Sequence, residues 1–174
     1  MESLLPLLFL DVDGPLIPFG GDGGGYREHL TERQVRELTG EWNPLLARID
    51  PAVGARIAGL PARVVWATTW MADANACVAP VLGLPELPVL DELDDGAGRF
   101  GWLPVGLHWK TPALVARAAG GAFAWVDDEI TAVDRAWVAE QHAGPALLHR
   151  VDPRTGLTGR DFEELDDWLR EAGR

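Results

Sequence analysis

Cysteine is almost absent from this sequence: Cys77 is the single thiol in 174 residues. No intrachain disulfide can form, which fits a reducing compartment. Basic residues are also scarce, with 15 Lys+Arg against 27 Asp+Glu and a formal charge of −12. Proteins that hold long nucleic acid without sequence preference do so by neutralising phosphates with a basic surface. This composition supplies none, so long polynucleotides are not expected partners. An anionic chain still takes a small phosphorylated ligand if a local cation offsets its field, which calls for a bound metal and one or two well-placed basic side chains. Long apolar runs are missing too. Residues 4–10 are apolar, but Asp11 ends the run, too soon for a signal peptide or a membrane span. Met1-Glu2-Ser3 carries no basic group, so the expectation is a cytosolic protein with no membrane partner.

Apolar residues make up 47% of the chain, enough for one domain, residues 1–174, that buries roughly 70% of its unfolded surface. Apolar runs alternate with helix-like segments, and no repeat or long linker interrupts them. Residues 4–10 read as a strand buried on both faces. Residues 63–67 form the second strand candidate, 87–90 a shorter third, 122–126 the fourth and 145–151 the fifth.

Helix signals lie between them. Thr31 and Gln34 make a capping box, with Val35, Leu38 and Trp42 on one face. Asn43-Pro44 and Asp50-Pro51 each read as an N-cap followed by a first-turn proline, giving two short helices that end near Gly59. An alanine-rich helix begins near Trp70. Thr111-Pro112 opens another, which Gly120-Gly121 stops, and residues 130–142 form the next. Thr158 with Asp161 opens the last, with Phe162, Leu165 and Leu169 inward. Residues 20–25 read as a glycine-rich loop and the acidic stretch 91–106 as a loop or small hairpin. Strand–helix alternation predicts an α/β fold: a Rossmann-like open parallel sheet of about five strands with helices on both faces. Ligands bind such sheets at the carboxyl ends of the strands.

Three strand candidates end in polar residues suited to chemistry: Asp11-Val12-Asp13-Gly14, Thr68-Thr69, and Asp127-Asp128-Glu129. Lys110 precedes the helix that leads into the fourth strand. Parallel pairing brings carboxylates, a hydroxyl and an ammonium to one edge. Clustered carboxylates stay ionised when a cation sits among them, and oxygen ligands at an open edge suit Mg²⁺, which keeps waters and leaves room for a phosphate oxygen. A carboxylate can attack phosphorus, and a metal, a lysine, a hydroxyl and backbone N–H groups can stabilise the transferring group.

These residues carry a resemblance. Leu8-Phe9-Leu10-Asp11-Val12-Asp13-Gly14 resembles the first motif of the haloacid-dehalogenase-like (HAD) superfamily. Val64-Val65-Trp66-Ala67-Thr68 resembles the second, Lys110 before a helix the third, and Trp125-Val126-Asp127-Asp128 the fourth. The four occur in order across most of the chain. The resemblance implies a Mg²⁺-dependent phosphomonoesterase acting on a small phosphorylated substrate. Asp11 is then nucleophile and metal ligand, and Asp13 the general acid/base with its carbonyl on the metal. Thr68 and Gly14 hold the phosphate, Lys110 bridges nucleophile and phosphate, and Asp128 completes the metal site with Asp127 beside it. Asp128 is favoured as the direct ligand because it holds the second position of the fourth motif. Pro15 departs from the usual Thr or Val, so the turn is expected to be stiffer and one donor poorer. A large cap domain is absent; residues 15–60 supply a loop and short helices, a candidate flap.

Blander roles suit several neighbours. Thr69 reads as a cap of the following helix and Glu129 as a helix-start acid. Trp66 and Trp125 read as core, while Trp70 and Trp109 flank the site. Residues 91–95 read as a solvated acidic turn, Cys77 as a small core residue, and the four histidines lack metal-ligand spacing. Two other functions fit the same residues: a phosphatase for nucleotide or nucleic-acid ends, as in small superfamily members associated with RNA repair, and a non-catalytic domain that binds a phospho-ligand or partner. Dehalogenase chemistry fits less well, since it needs neither the metal nor the fourth-motif acids.

Overall fold

The computed structural model describes residues 5–21, 25–90 and 101–174. Among them four short strands, β1 (Leu7–Leu10), β2 (Arg63–Trp66), β3 (Phe123–Asp127) and β4 (Ala146–Arg150), form a parallel sheet in the order β2-β1-β3-β4. The helices are α1 (Glu32–Thr39), α2 (Ala52–Ala58), α3 (Ala79–Leu82), α4 (Thr111–Ala118), α5 (Ala132–Gln141) and α6 (Gly159–Ala172). This is the Rossmann-like α/β fold that the alternation of segments predicts.

The unbroken apolar runs are explained by burial on both sides. Successive residues of a strand face opposite ways. Leu8, Leu10, Ala124 and Val126 pack with Val35, Ile57, Phe162, Leu165 and Leu169, so α1, α2 and α6 cover one face. Leu7, Phe9, Phe123 and Trp125 pack with Leu114, Val115, Trp137 and Val138, so α4 and α5 cover the other. The capping boxes at Thr31 and Thr158 form as expected. Asn43 and Asp50 accept backbone N–H groups two residues on, from Leu45 and Ala52, each at 3.0 Å. They open a 3₁₀ turn (Leu46–Arg48) and α2. Where α2 meets α3 a Cβ on Gly54 would lie 1.8 Å from the Leu82 carbonyl oxygen, so only glycine allows that approach.

Several local expectations change. Residues 87–90 do not form a full fifth strand. Val89 makes a single parallel bridge to Trp66, flanked by bonds from Trp66 N to the Pro88 carbonyl (2.9 Å) and from Leu90 N to the Trp66 carbonyl (2.7 Å). Pro88 has no N–H to give a ladder, so pairing goes no further. The helix expected near Trp70 starts only at Ala74, as a π-helical turn (Ala74–Val78) before α3; Met71, at φ 49, separates it from the strand, and Pro80 has no N–H for the Ala76 carbonyl. Leu38 is exposed rather than inward. Of the acidic stretch 91–106, residues 91–100 lie outside the described residues, as do residue 4 of the first run and 22–24 of the glycine-rich loop. No helix among the described residues is long and apolar enough to cross a membrane.

Candidate active site

The order β2-β1-β3-β4 means the chain leaves β1 toward one edge and later returns to fill the other side. Such a reversal opens a crevice at the carboxyl ends of the two central strands. Asp11 follows β1, tied by its N–H to the Val126 carbonyl at 3.0 Å, and Asp127 ends β3.

Lys110, the only lysine in the chain, lies in the turn before α4 and is 2% exposed. Its Nζ sits 2.8 Å from Asp11 Oδ2 and 2.8 Å from Asp127 Oδ2. Asp11 Oδ1 accepts from Val12 N at 2.7 Å. Asp127 is fully buried and takes two further donors, Trp125 Nε1 at 3.2 Å and Glu129 N at 2.9 Å. Asp128 differs: no side-chain cation pairs with its carboxylate among the described residues, and its backbone carbonyl accepts Arg150 Nε at 2.8 Å. Asp11, Asp127 and Asp128 each offer a carboxylate oxygen, all within 4.8 Å of one another.

Two of the three carboxylates thus share one ammonium, and the third has no cation paired with it among the described residues. Burial pushes the Asp11 carboxyl up to about 7; the Lys110 charge opposes this and the Asp127 charge adds to it. Burial also raises Asp128, helped by Asp127. For Lys110, burial disfavours the charge, but Asp11 and Asp127 outweigh it and hold its pKa above the usual lysine value. The ammonium is therefore permanently charged, while the acids around it are under-compensated.

Asp13 stands one turn away. Its Oδ2 accepts from the indole Nε1 of Trp70 at 3.0 Å. The same tryptophan gives its backbone N–H to Thr68 Oγ1 at 3.3 Å, so Trp70 ties the buried Thr68 to Asp13. Gly14 has φ +85°, and a Cβ there would fall 2.6 Å from Asp128 Oδ1; glycine is required for this turn and this acid to coexist. Pro15 costs the turn little, because Leu16 N and Ile17 N both donate to the Val12 carbonyl at 3.0 Å and close the loop without it.

The fold therefore brings Asp11, Lys110, Asp127, Asp128 and Gly14 together, with Asp13 and Thr68 joined beside them through Trp70. Among the described residues Thr69 makes no capping bond; the capping-type bond is made by Thr68. Glu129 does not start a helix either. α5 opens at a Thr131–Asp134 capping box, and the Glu129 carboxylate meets His108 Nε2 at 3.2 Å. Because His108 Nδ1 accepts the Lys110 N–H at 3.2 Å, the network assigns the proton to Nε2. Both ring nitrogens are then engaged, so the His108, Asp127 and Glu129 trio has no free imidazole lone pair for a metal.

Sequence reasoning passed over two contributors, the Trp125 indole and Arg150. Trp125 and Asp127 stand two apart in a strand and so share a face, a signal for the indole-to-carboxylate bond. Lys110 was expected here, and as the one lysine among fourteen arginines it supplies a compact ammonium that fits between two carboxylates where a planar guanidinium does not. Arg150, holding the Asp128 carbonyl, had no local signal. No curated protein and no solved structure matches the chain significantly. One family does, over residues 7–162, a span from β1 into α6 that includes every residue discussed above. It is described as the HAD domain in Swiss Army Knife RNA repair proteins, and the chain belongs to that family within the haloacid-dehalogenase-like hydrolases.

Proposed function

We propose that the protein is a Mg²⁺-dependent phosphomonoesterase that works through an aspartyl-phosphate on Asp11. The observation that carries this reading is the buried Asp11 carboxylate, held by the sole lysine beside an under-compensated pair of acids. The donor set fits a hard cation: three carboxylates against one ammonium leave an excess charge that a divalent ion with oxygen preference would offset. Asp11 and Asp128 are the direct ligands in this reading, joined by the Asp13 carbonyl. Asp127, saturated by Lys110, Trp125 and the Glu129 N–H, orients the lysine instead. When bound, Mg²⁺ would supply positive charge to the phosphate oxygens and permit the dianion to enter.

The chain's own groups carry the steps. An Asp11 oxygen attacks phosphorus as the ester P–O bond breaks, and Asp13, held by Trp70, gives its proton to the departing oxygen. Lys110 and Thr68 Oγ1 hold the phosphoryl oxygens; the Gly14 N–H, expected to help, is spent on the Ile17 carbonyl at 3.0 Å. Asp13, now a carboxylate, takes a proton from water, which attacks phosphorus. The bond to Asp11 breaks, and orthophosphate leaves.

Residues 1–174 act as one domain without a separate cap in this reading. Val35, Leu46 and Ile57 of the 15–60 segment sit in the same apolar cluster as the sheet, which supports an open site. The family description favours a particular substrate class, the phosphorylated ends of RNA or nucleotides, and an end needs only a small footprint on an acidic protein. A panel of aryl, sugar and nucleotide monophosphates plus 3′- and 5′-phosphorylated oligonucleotides, assayed with and without Mg²⁺, tests both levels. Mass spectrometry of acid-quenched enzyme should find the phosphoryl adduct on the Asp11 peptide. No hydrolysis of any substrate, with Asp11→Asn binding phosphorylated ligands as well as wild type, would leave the non-catalytic reading in its place.

A further inference from the structure

The sharpest departure from the acidic character of this chain lies beside the site. A cleft of about 230 Å³ lies along the loop after Gly14, lined by Pro15, Leu16, Arg27, Arg48 and Thr155 among others. Arg33, Arg36 and Arg170 pair with Glu37, Glu32 and Asp166, while Arg56, Arg63, Arg135 and Arg150 bond backbone carbonyls. Arg27 and Arg48 have no carboxylate partner among the described residues, although 27 acids are available. Arg48 gives Nη1 to the Pro18 carbonyl at 3.2 Å and lies over the Tyr26 ring at 4.9 Å, so its guanidinium is oriented while most of its five donors stay free. The one acid of the cleft, Asp50, is turned to other work: its carboxylate accepts the Ala52 N–H and faces His29 at 3.7 Å.

The cleft adjoins the catalytic edge along the chain. Pro15 directly follows Gly14, whose Cα lies against Asp128, and its carbonyl accepts Leu157 N at 2.9 Å. The segment from Arg150 to Leu157 joins the two places: Arg150 holds the Asp128 carbonyl, Arg150, Asp152 and Arg154 line a neighbouring hollow, and Thr155 to Leu157 line the cleft. Screening confines the remote acids to within about 8–10 Å, so a local group of arginines is felt as positive even at a net charge of −12.

We propose that the Arg27–Arg48 cleft is a second anion site, which binds a phosphate of the substrate other than the one Asp11 attacks. This rests on the phosphohydrolase reading. The ligand chemistry is a phosphate offered to two guanidinium groups, for which arginine is the matched donor. That phosphate is either the next phosphodiester of a short strand or a second phosphate on a small molecule.

The test is steady-state kinetics with Mg²⁺ on four substrates: an aryl monophosphate, a nucleoside monophosphate, a nucleoside 3′,5′-bisphosphate and a short oligonucleotide with a terminal phosphate. Arg27→Gln/Arg48→Gln should lower kcat/KM for substrates with a second phosphate by about 10–100-fold, mainly through KM, and flatten the salt dependence by about one to two units of log–log slope. The two monophosphates have nothing to place in the cleft and should keep their kcat/KM. Loss on the oligonucleotide alone identifies a strand; loss on the bisphosphate as well identifies any second phosphate. Arg48→Lys and Arg27→Gln alone, with melting temperatures, separate lost charge from lost packing against Tyr26. An unchanged ratio between oligonucleotide and aryl phosphate overturns the proposal. If the wild type hydrolyses nothing, the phosphohydrolase reading is what fails. Oligonucleotide anisotropy then decides on the cleft, and equal affinity of wild type and double variant overturns it.

Discussion

Without divalent metal, Asp11→Asn is expected to stabilise the fold and Lys110→Met to destabilise it, although both remove one partner of the same 2.8 Å ion pair. The asymmetry comes from the count of charges. Asp11 and Asp127 share Lys110 while Asp128 beside them has no cation partner among the described residues, so removing a carboxylate relieves an excess and removing the ammonium enlarges it. The pKa of Asp11 lies near 7, against an ordinary 3.8. A raised acid contributes its full stability below the unfolded value and loses it as pH rises through the folded one, so the penalty develops between about pH 4 and pH 7. One unit is about 1.4 kcal/mol, so the full penalty at pH 8 is on the order of 4 kcal/mol. An asparagine amide facing the Lys110 donors returns part of that gain.

The expected net is about 1–3 kcal/mol in favour of Asp11→Asn at pH 8, or roughly 2–10 °C in Tm for a domain of this size, fading to nothing near pH 5. Lys110→Met should cost about 3–5 kcal/mol at pH 8, the usual price of stranding buried charge, and less at pH 5, where Asp11 is protonated. Thermal melts of the three proteins in chelator at both pH values make the measurement. Saturating Mg²⁺ should then stabilise wild type more than Asp11→Asn, because the variant has lost a ligand oxygen. A lower Tm for Asp11→Asn than for wild type at pH 8 in chelator would refute the reasoning, since it would mean that Asp11 is a structural partner rather than a destabilised acid.

Trp70→Phe keeps the ring but removes the N–H that holds Asp13 Oδ2 at 3.0 Å; kcat should fall about 10-fold, with KM and Tm little changed, in steady-state assays. Gly14→Ala puts a methyl 2.6 Å from Asp128 Oδ1 at φ +85° and should cost about 1–3 kcal/mol in a denaturant melt while weakening Mg²⁺ binding by calorimetry. Ca²⁺ should fail to replace Mg²⁺ and should inhibit in its presence, because its looser coordination can take both oxygens of the nucleophile; full activity in excess chelator would sink the metal requirement.

Much of this was legible because the signals were local. An apolar run stopped by Asp11, a Thr-Glu-Arg-Gln capping box and a Thr158–Asp161 pair each announce themselves within a few residues, and parallel pairing then carries Asp11, Thr68 and Asp127 to one edge. The failures share a cause as well. Residues 87–90 look like a strand by composition, yet Pro88 has no donor, and pairing depends on which neighbour would receive it. Thr68 and Thr69 are equivalent in sequence; the turn at Met71 decides which hydroxyl meets the Trp70 N–H. Bonds such as Arg150 to the Asp128 carbonyl join segments 22 residues apart and exist only once β3 and β4 are in register.

Asp134 shows how far the site depends on a residue that touches none of its chemistry. It is fully buried and caps α5, accepting Thr131 N at 2.8 Å. Its other oxygen accepts His108 N at 2.8 Å and Thr111 Oγ1 at 2.7 Å. Those two residues flank Lys110, whose position between Asp11 and Asp127 is thereby set from α5. Burial alone would raise the Asp134 carboxyl, but the bonds from Thr131, Thr111 and His108 outweigh it and hold the pKa below 3.8. A depressed acid contributes stability above its unfolded value and loses it as pH falls through the folded one, so this anchor fails only in strong acid. Asp134→Ala removes a cap and leaves two buried donors unpaired, a loss of about 2–4 kcal/mol. Asp134→Asn keeps one acceptor and should cost less. Activity should fall in the same order, and the Asp11→Asn stabilisation should shrink in the Asp134→Ala background, because an unanchored Lys110 no longer sets how far the three carboxylates are compensated. Additive effects of the two substitutions on Tm would show that the anchor and the charge cluster are independent.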